Sequence, residues 1–223
     1  TVAALTDCYY RRLPDDGTGY QSFESTTFTC SNWDSRIQHG SPPLALLTKL
    51  VEETAAPGMR IGRLLLDILG PIPVAPVRAR AWVQRPGNRI SLVNAEMVAT
   101  APDGSQRAVA TVSAWLLAIT DTADAATDRY PPVATGEPDP RPHDWDGLPG
   151  YLDSVGWVRQ RDSDAGATVS WLTPLVSLVD DEAVTPIQQL AMTVDSANGV
   201  GAALDPNDFL FMNTDTAVHL HRV

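Results

Sequence analysis

The sequence predicts an α+β fold made of two tandem copies of one unit, a long helix wrapped by a curved antiparallel sheet. Each half contains a proline-initiated helix followed by a strand-like segment and a turn-like break, which indicates an internal duplication. A stretch rich in proline, aspartate and glycine separates the halves. We therefore expect an N-terminal domain over residues 1–119, a surface linker over 120–149 and a C-terminal domain over 150–223.

The first half begins with a strand and a helix. Residues 20–30 alternate apolar and polar side chains, as strands do. The helix that follows is apolar around much of its surface, so we expect a sheet to wrap it; Ser41 is its predicted N-cap, Pro42 its first residue and Pro57-Gly58 its end. Further strands are expected near 60–70, 77–85, 89–101 and 106–119, the last two forming a hairpin.

The second half repeats the opening of this pattern. Strands are expected near residues 153–161 and 168–176. Thr185 and Gln188 form a capping box for a helix that Gly199 ends, and a long strand follows over Phe209–Arg222. At the end of the linker, Trp145, Leu148 and Tyr151 are expected to hold it against a core. His143, within the linker, is expected to be solvated.

Composition excludes several classes of partner. The 223 residues carry 27 acidic and 16 basic side chains, a net charge of −11, with no basic patch to bind nucleic acid. No apolar run reaches the roughly 18–20 residues that span a bilayer. Cys8 and Cys30 are expected to be reduced and partly buried, and the histidine and cysteine spacings support no metal site. We expect a cytoplasmic protein without a membrane span.

Four short segments occur in order along nearly the whole chain, and together they resemble the acyl-CoA thioesterase family related to bacterial thioesterase II, which has a double hot-dog fold. The segments are HGSPPLALL (39–47), LLLDILGPIPVAPV (64–77), GYLDSVGW (150–157) and NTDTAVHLHR (213–222). The resemblance implies hydrolysis of acyl-CoA by a water that a carboxylate and amide or hydroxyl groups orient, without metal, cofactor or covalent intermediate. It also implies lipid metabolism and a homodimer or higher homo-oligomer.

The resemblance implies Asp215 as the catalytic carboxylate, because it lies in the segment that matches the family's catalytic strand. Alternation places Asp215 on one strand face with Asn213 and His219, and Thr216 on the other. An aspartate in mid-strand is unusual. The alternative is a solvated or ion-paired strand aspartate without a catalytic role.

Two further pairs are candidates for substrate binding. Asp195 and Asn198 lie three residues apart and therefore on one helix face, where they either bind substrate and support Asp215 or only solvate the helix end. His39 and Gly40 precede the first helix, whose backbone N–H groups could polarise a carbonyl or hold a phosphate. The alternative there is an ordinary capped helix start.

The two copies differ in length. After its long strand the first copy continues through three more strands, whereas the sequence of the second stops at Val223. Comparing the copies, we expect roughly forty to fifty further residues, or strands supplied by a neighbouring chain. The resemblance implies that two more active-site partners, a hydroxyl residue and a glutamine, belong to that further stretch. The first copy has Arg63 and Asp67 where Asp215 would have its match, so one working site per chain is expected.

Two other functions stay open. A hot-dog dehydratase or hydratase uses a paired aspartate and histidine, but no histidine follows Asp195 and Asn198 at the required spacing. A non-catalytic module that binds acyl thioesters or acyl carriers would keep the groove without activating water. The arginines at positions 78, 80, 85 and 89 either contact the phosphates of CoA or form a solvated strand face.

Overall fold

The computed structural model describes residues 7–14, 17–101, 103–127, 135–139, 149–161, 168–202, 204–205 and 208–221. The helices are α1 (Ser41–Thr54), α2 (Pro186–Val194) and α3 (Ala197–Val200). The strands are β1 (Cys8–Arg12), β2 (Gln21–Ser25), β3 (Met59–Ile68), β4 (Pro76–Arg85), β5 (Ile90–Thr100), β6 (Gln106–Ala118), β7 (Val155–Arg159), β8 (Ser170–Pro174), β9 (Ser177–Val179) and β10 (Asp215–His219).

Eight of these strands form one sheet, in the order β10-β3-β6-β5-β4-β2-β1-β9, while β7 and β8 form a separate hairpin. Neighbouring strands in the large sheet are antiparallel except for β1 and β9, which are parallel. The predicted hairpin is present as β5 and β6, with Gly104 of its turn at a φ of 82°. The α+β fold class is confirmed.

Helix α1 lies inside this sheet. Every residue from Ser41 to Val51 is buried, and the helix contacts β3, β4, β5, β6 and β9. A helix that is buried around its whole circumference needs apolar side chains on all faces, which the leucines and alanine after Pro43 supply. The expectation of a helix wrapped by the sheet is confirmed for the first half.

The start of α1 differs from the prediction. Gly40 is the N-cap and Ser41 is already helical, so the assignment of Ser41 as N-cap is wrong. Its backbone N–H instead donates to His39 Nδ1 at 3.1 Å, and its hydroxyl lies 3.1 Å from the Tyr151 hydroxyl. His39 and Tyr151, which lie outside the helix, therefore bind the N–H and the hydroxyl of Ser41.

The second half adds a strand to each edge of the sheet that the first half builds. Strand β9 pairs with β1, and β10 pairs with β3, so that Asp215 lies opposite Asp67 and His219 opposite Arg63. The strand predicted for Phe209–Arg222 is shorter, since residues 209–214 are not in a strand and Arg222 lies outside the described residues. The strands that follow α1 and α2 are thus hydrogen-bonded neighbours, and the halves share one sheet.

Helix α2 begins as predicted and ends early. Thr185 and Gln188 form the capping box, but α2 stops at Val194, and the predicted end at Gly199 lies inside the separate short helix α3. Glu52, near the end of α1, accepts hydrogen bonds from Thr185 Oγ1 at 2.9 Å and Gln188 Nε2 at 2.6 Å. The helices are therefore antiparallel, and the start of α1 meets the end of α2.

The segment between the halves is described only in part. Residues 120–127 and 135–139 contain one turn of 3-10 helix and a β-bridge between Pro138 and Gln160. The predictions for His143, Trp145 and Leu148 concern positions outside the described residues, whereas Tyr151 is fully buried.

Cys8 and Cys30 are buried free thiols, as expected. No helix in the described part of the chain is long and apolar enough to cross a membrane. Both cysteine side chains are therefore unpaired and belong to the buried core.

A part-buried network of ion pairs joins α1 to the loop after β9. Lys49, the one lysine of the sequence, lies 2.7 Å from Glu182, which Arg12 also binds at 2.8 Å. Burial raises the pKa of Glu182, but hydrogen bonds from Arg12 and Lys49 outweigh it, so the pKa lies below its ordinary 4.5. We expect Glu182→Gln to lower the free energy of unfolding by about 1–2 kcal/mol at neutral pH, less than for a fully buried pair because Glu182 is part-exposed.

Urea denaturation measures this effect. Because the folded-state pKa is depressed, the stabilisation is present above pH 4.5 and is lost as the pH falls through the folded pKa, so the difference from the unaltered protein should narrow there. Glu137→Gln, at an exposed position, is the control. Equal unfolding free energies for the two variants at neutral pH would contradict the prediction.

Candidate active site

A cavity of about 510 Å³ lies where the start of α1 meets the end of α2. Its walls come from the loop before α1, the turn after β3, and the segment between α2 and β10. The volume is typical of small-molecule sites, and much of the lining is apolar. The apolar side chains are Trp33, Ile37, Ile68, Pro71, Ile72, Leu152, Trp157, Val200, Leu210, Phe211 and Met212.

Asp195 is the buried carboxylate of this cavity. Its side chain is 3% exposed, and its Oδ1 accepts hydrogen bonds from Asn213 Nδ2 at 2.5 Å and from the Thr216 hydroxyl. Its Oδ2 receives no hydrogen bond from the residues described, and it faces Gly40 so closely that a Cβ there would lie 2.3 Å away. One oxygen is thus held by the protein, and the other is left to bind a ligand or water.

His39 forms the wall beside Asp195. Its ring stacks on Tyr151 at 3.8 Å between centroids and 6° between planes, and its Nδ1 accepts the Ser41 N–H. Burial lowers the pKa of His39 below its ordinary value, although the Asp195 carboxylate 3.9 Å from Nδ1 opposes this. The imidazole is therefore neutral at pH 7, with its proton on Nε2.

Gly40 brings the first turn of α1 to the carboxylate. Pro42 and Pro43 have no N–H, and the N–H of Ser41 is taken by His39. The N–H of Gly40 has no partner in the described part of the chain. The helix start therefore offers one free backbone donor next to Asp195, where the helix dipole also favours negative charge.

The structure brings the four predicted substrate-binding residues, His39, Gly40, Asp195 and Asn198, into the wall of this one cavity. Asp195 and Asn198 were expected to share one helix, but the helix is interrupted between α2 and α3, and Asp195 lies in the interruption. Both residues still line the cavity, because the interruption between the two helices lies at the edge of the cavity.

Asp215, the residue predicted as catalytic, lies elsewhere. Its side chain is exposed, accepts a hydrogen bond from Thr214 Oγ1 at 3.1 Å and is not part of the cavity lining. The alternation of β10 turns Asp215 outward and Thr216 and Val218 inward, because the inner face of the strand packs toward the core. The Asp215 side chain therefore lies on the exposed outer face of β10, outside the lining of the cavity.

Sequence reasoning missed Thr216 and Asn213 as partners of Asp195. Thr216 alternates with Val218 and Leu220, both of which pack on the core. A polar side chain among these inward-facing positions could have indicated that Thr216 binds a buried polar group, here Asp195. Asn213 precedes the strand, and strand alternation does not place its side chain. The hydroxyl partner was expected beyond Val223, but Thr216 already supplies a hydroxyl.

Asp195 has a counterpart in the first half. Asp195 and Glu52 each stand nine residues after a proline at the start of their helix. Each lies where one helix ends beside the start of the other, and each accepts from a threonine hydroxyl and a side-chain amide. Glu52 does not line the cavity. Glu52 therefore joins the two helices, whereas Asp195, at the equivalent position, lines the cavity.

The arginines considered for CoA phosphates do not line the cavity either. Arg80 binds Glu96 at 2.6 Å and lies over the Tyr20 ring at 4.5 Å, while Arg85 lies over Trp115 at 6.0 Å. These contacts are typical of a solvated strand face, the second of the two interpretations.

Comparison with known proteins places this site in a family. A sequence model of the acyl-CoA thioesterase N-terminal domain matches residues 29–117, and one of the acyl-CoA thioesterase C-terminal domain matches residues 127–223. No curated protein matches the chain.

Three solved structures resemble the whole described fold. A Thermobifida fusca protein assigned as a thioesterase II is 16% identical with a TM-score of 0.62, over 93% of this chain and 78% of that one. The tesB protein of Mycobacterium avium subspecies paratuberculosis is 14% identical with a TM-score of 0.58, over 94% and 77%. The acyl-CoA thioesterase II TesB2 of Mycobacterium marinum is 14% identical with a TM-score of 0.55, over 95% and 76%. These similarities show the hot-dog fold, and with the two domain matches the chain belongs to the acyl-CoA thioesterase family related to thioesterase II.

Proposed function

We propose that this protein hydrolyses acyl-CoA to a free acid and CoA, using a water molecule that Asp195 activates. The observation that carries the proposal is the Asp195 carboxylate in the wall of an apolar cavity: Oδ1 is held by Thr216 and Asn213, and Oδ2 accepts no hydrogen bond from the described residues. A carboxylate buried in this way is oriented by the protein and poorly solvated, as a general base for water requires.

The chemistry follows from the neighbouring groups. Water bound to Asp195 Oδ2 attacks the thioester carbonyl carbon while the carboxylate takes its proton. The free N–H of Gly40, at the positive end of α1, stabilises the negative charge that develops on the carbonyl oxygen. The C–S bond then breaks, the proton passes to the departing thiolate, and the carboxylate is restored.

The remaining lining fits the same substrate class. The apolar side chains surround an acyl group, while Asn198 offers an amide and His39 a neutral ring to the polar part of the thioester. Thiol release from acyl-CoAs of several chain lengths, followed with a thiol-reactive dye, tests the proposal. A protein that binds these thioesters without releasing thiol is a binding module, and that result would refute hydrolysis.

A hydratase is the second candidate, because the structure brings His39 to within 3.9 Å of Asp195, although no histidine follows Asp195 in the sequence at the spacing that a hydratase motif requires. The Ser41 N–H occupies the near nitrogen of His39, which therefore does not donate to the carboxylate. Loss of enoyl absorbance from a 2-enoyl-CoA without thiol release would favour the hydratase.

The assembly and location implied by the resemblance stay part of the proposal. Phe209, Leu210 and Met212 are 52%, 69% and 58% exposed near the cavity, which supports an interface in a homodimer or larger homo-oligomer. Light scattering of the purified protein measures its oligomeric state, and a monomer would contradict the proposed homo-oligomer. The cytoplasmic location rests on composition alone.

Thr216 gives a graded test of the carboxylate's support. Thr216→Val removes the hydroxyl that donates to Asp195 Oδ1 at nearly constant volume, and kcat is expected to fall by about ten- to a hundredfold because the carboxylate loses its orientation. Thr216→Ser keeps the hydroxyl and should retain most of the activity. Steady-state kinetics of both variants check this, and equal losses would assign Thr216 a packing role.

A further inference from the structure

Tyr151, from the GYLDSVGW segment, is a fully buried side chain that the proposed chemistry does not use. Its hydroxyl lies 2.9 Å from the Met192 carbonyl oxygen, 2.7 Å from Ser196 Oγ and 3.1 Å from Ser41 Oγ. Met192 lies in the last turn of α2, Ser196 follows that helix as the N-cap of α3, and Ser41 begins α1. One phenol therefore joins the two helix ends that meet at the cavity.

The Tyr151 hydroxyl has three hydrogen-bond partners. It is the donor toward both the Met192 carbonyl oxygen and Ser41 Oγ, which leaves the Ser196 hydroxyl to donate to the phenolic oxygen. Burial raises the pKa of Tyr151 above its ordinary range, so the group is neutral at physiological pH. Each of the three bonds is buried, where a lost partner is costly.

The ring of Tyr151 is held as firmly as its hydroxyl. It stacks on His39 at 3.8 Å and on Tyr9 at 6.2 Å, and it meets the edge of Trp157 at 6.2 Å. The chain before it is also fixed, because the Tyr151 N–H donates to the Cys30 carbonyl at 3.0 Å. The phenol is thus a rigid support and not a mobile side chain.

The contacts of Tyr151 flank both groups of the proposed reaction. His39 and Ser41 stand on either side of Gly40, and Ser196 follows Asp195 directly. Tyr151 itself does not line the cavity. We propose that Tyr151 is a positioning residue that sets the distance between the Gly40 N–H and the Asp195 carboxylate, an inference that rests on the proposed function.

Tyr151→Phe tests this with the loss of one oxygen. The ring contacts remain, so the variant is expected to fold, bind substrate with KM within about twofold, and lose about tenfold in kcat because the two reacting groups are no longer held at one distance. Tyr9→Phe is the matched control: Tyr9 is equally buried, and its hydroxyl binds Ser154 at 2.8 Å, away from the helix junction. The control should lose stability, measured as Tm, without losing kcat.

Amide hydrogen exchange supplies a readout that is independent of activity. The N–H groups of Leu44 and Ser196 close the first turn of α1 and the end of α2, and Tyr151→Phe, unlike Tyr9→Phe, should speed their exchange by about tenfold. Unchanged kcat and exchange in Tyr151→Phe, or an equal loss of kcat in Tyr9→Phe, would overturn the proposal. If the unaltered protein releases no thiol, the proposed function fails, and the exchange rates alone decide whether Tyr151 holds the junction.

Discussion

Asp195→Asn is expected to reduce the kcat for acyl-CoA hydrolysis by about a thousandfold while leaving acyl-CoA binding intact, because a general base contributes about 10²–10⁴ to such a reaction. An asparagine oxygen still accepts from Thr216 and Asn213, so the side chain keeps its place. Its amide nitrogen, however, takes no proton from water. Thiol-release kinetics with a parallel binding measurement by calorimetry separate the two effects.

Asp215→Asn is the matched comparison for this variant. Asp215 is exposed on the outer face of β10, outside the cavity lining, and its substitution should change kcat by less than about twofold. The opposite result, an inactive Asp215→Asn beside an active Asp195→Asn, would restore the assignment that the sequence resemblance implied and refute the mechanism proposed for the cavity.

Gly40→Ala is expected to have the second-largest effect, a loss of about a hundredfold in kcat/KM. The added Cβ would lie 2.3 Å from Asp195 Oδ2 and 2.8 Å from its Cγ, far inside contact distance. Asp195 moves away only by breaking its bonds to Thr216 and Asn213, and the methyl group occupies the place next to the free N–H. Steady-state kinetics and thermal denaturation measure the outcome.

Gly156→Ala controls for the effect of adding a methyl group. A Cβ at Gly156 would meet its nearest neighbour at 3.6 Å, an ordinary contact, so neither activity nor stability should change much. Full activity in Gly40→Ala would show that the carboxylate shifts freely, and the arrangement of Asp195 against the helix start would then have no catalytic significance.

Much of the fold could be predicted because its signals are local. The capping box of Thr185 and Gln188, the prolines that start both helices and the turn between β5 and β6 each depend on residues within a few positions of one another. The burial of α1 followed from its apolar side chains on every face. The predicted cap at Ser41 failed because a distant tyrosine and a neighbouring histidine take its polar groups.

The sequence by itself determined the fold class and the start of α2, and it named two candidate pairs, His39 with Gly40 and Asp195 with Asn198, which the tertiary structure brings to one cavity. Only the tertiary structure decided which carboxylate faces a ligand. Alternation along β10 separates Asp215 from Thr216 but does not say which of the two faces the core, since that depends on pairing with β3 and on packing against distant elements. Asp195 is selected by its contacts with Gly40, from the other half of the chain, and with Thr216, and only folding brings these groups together.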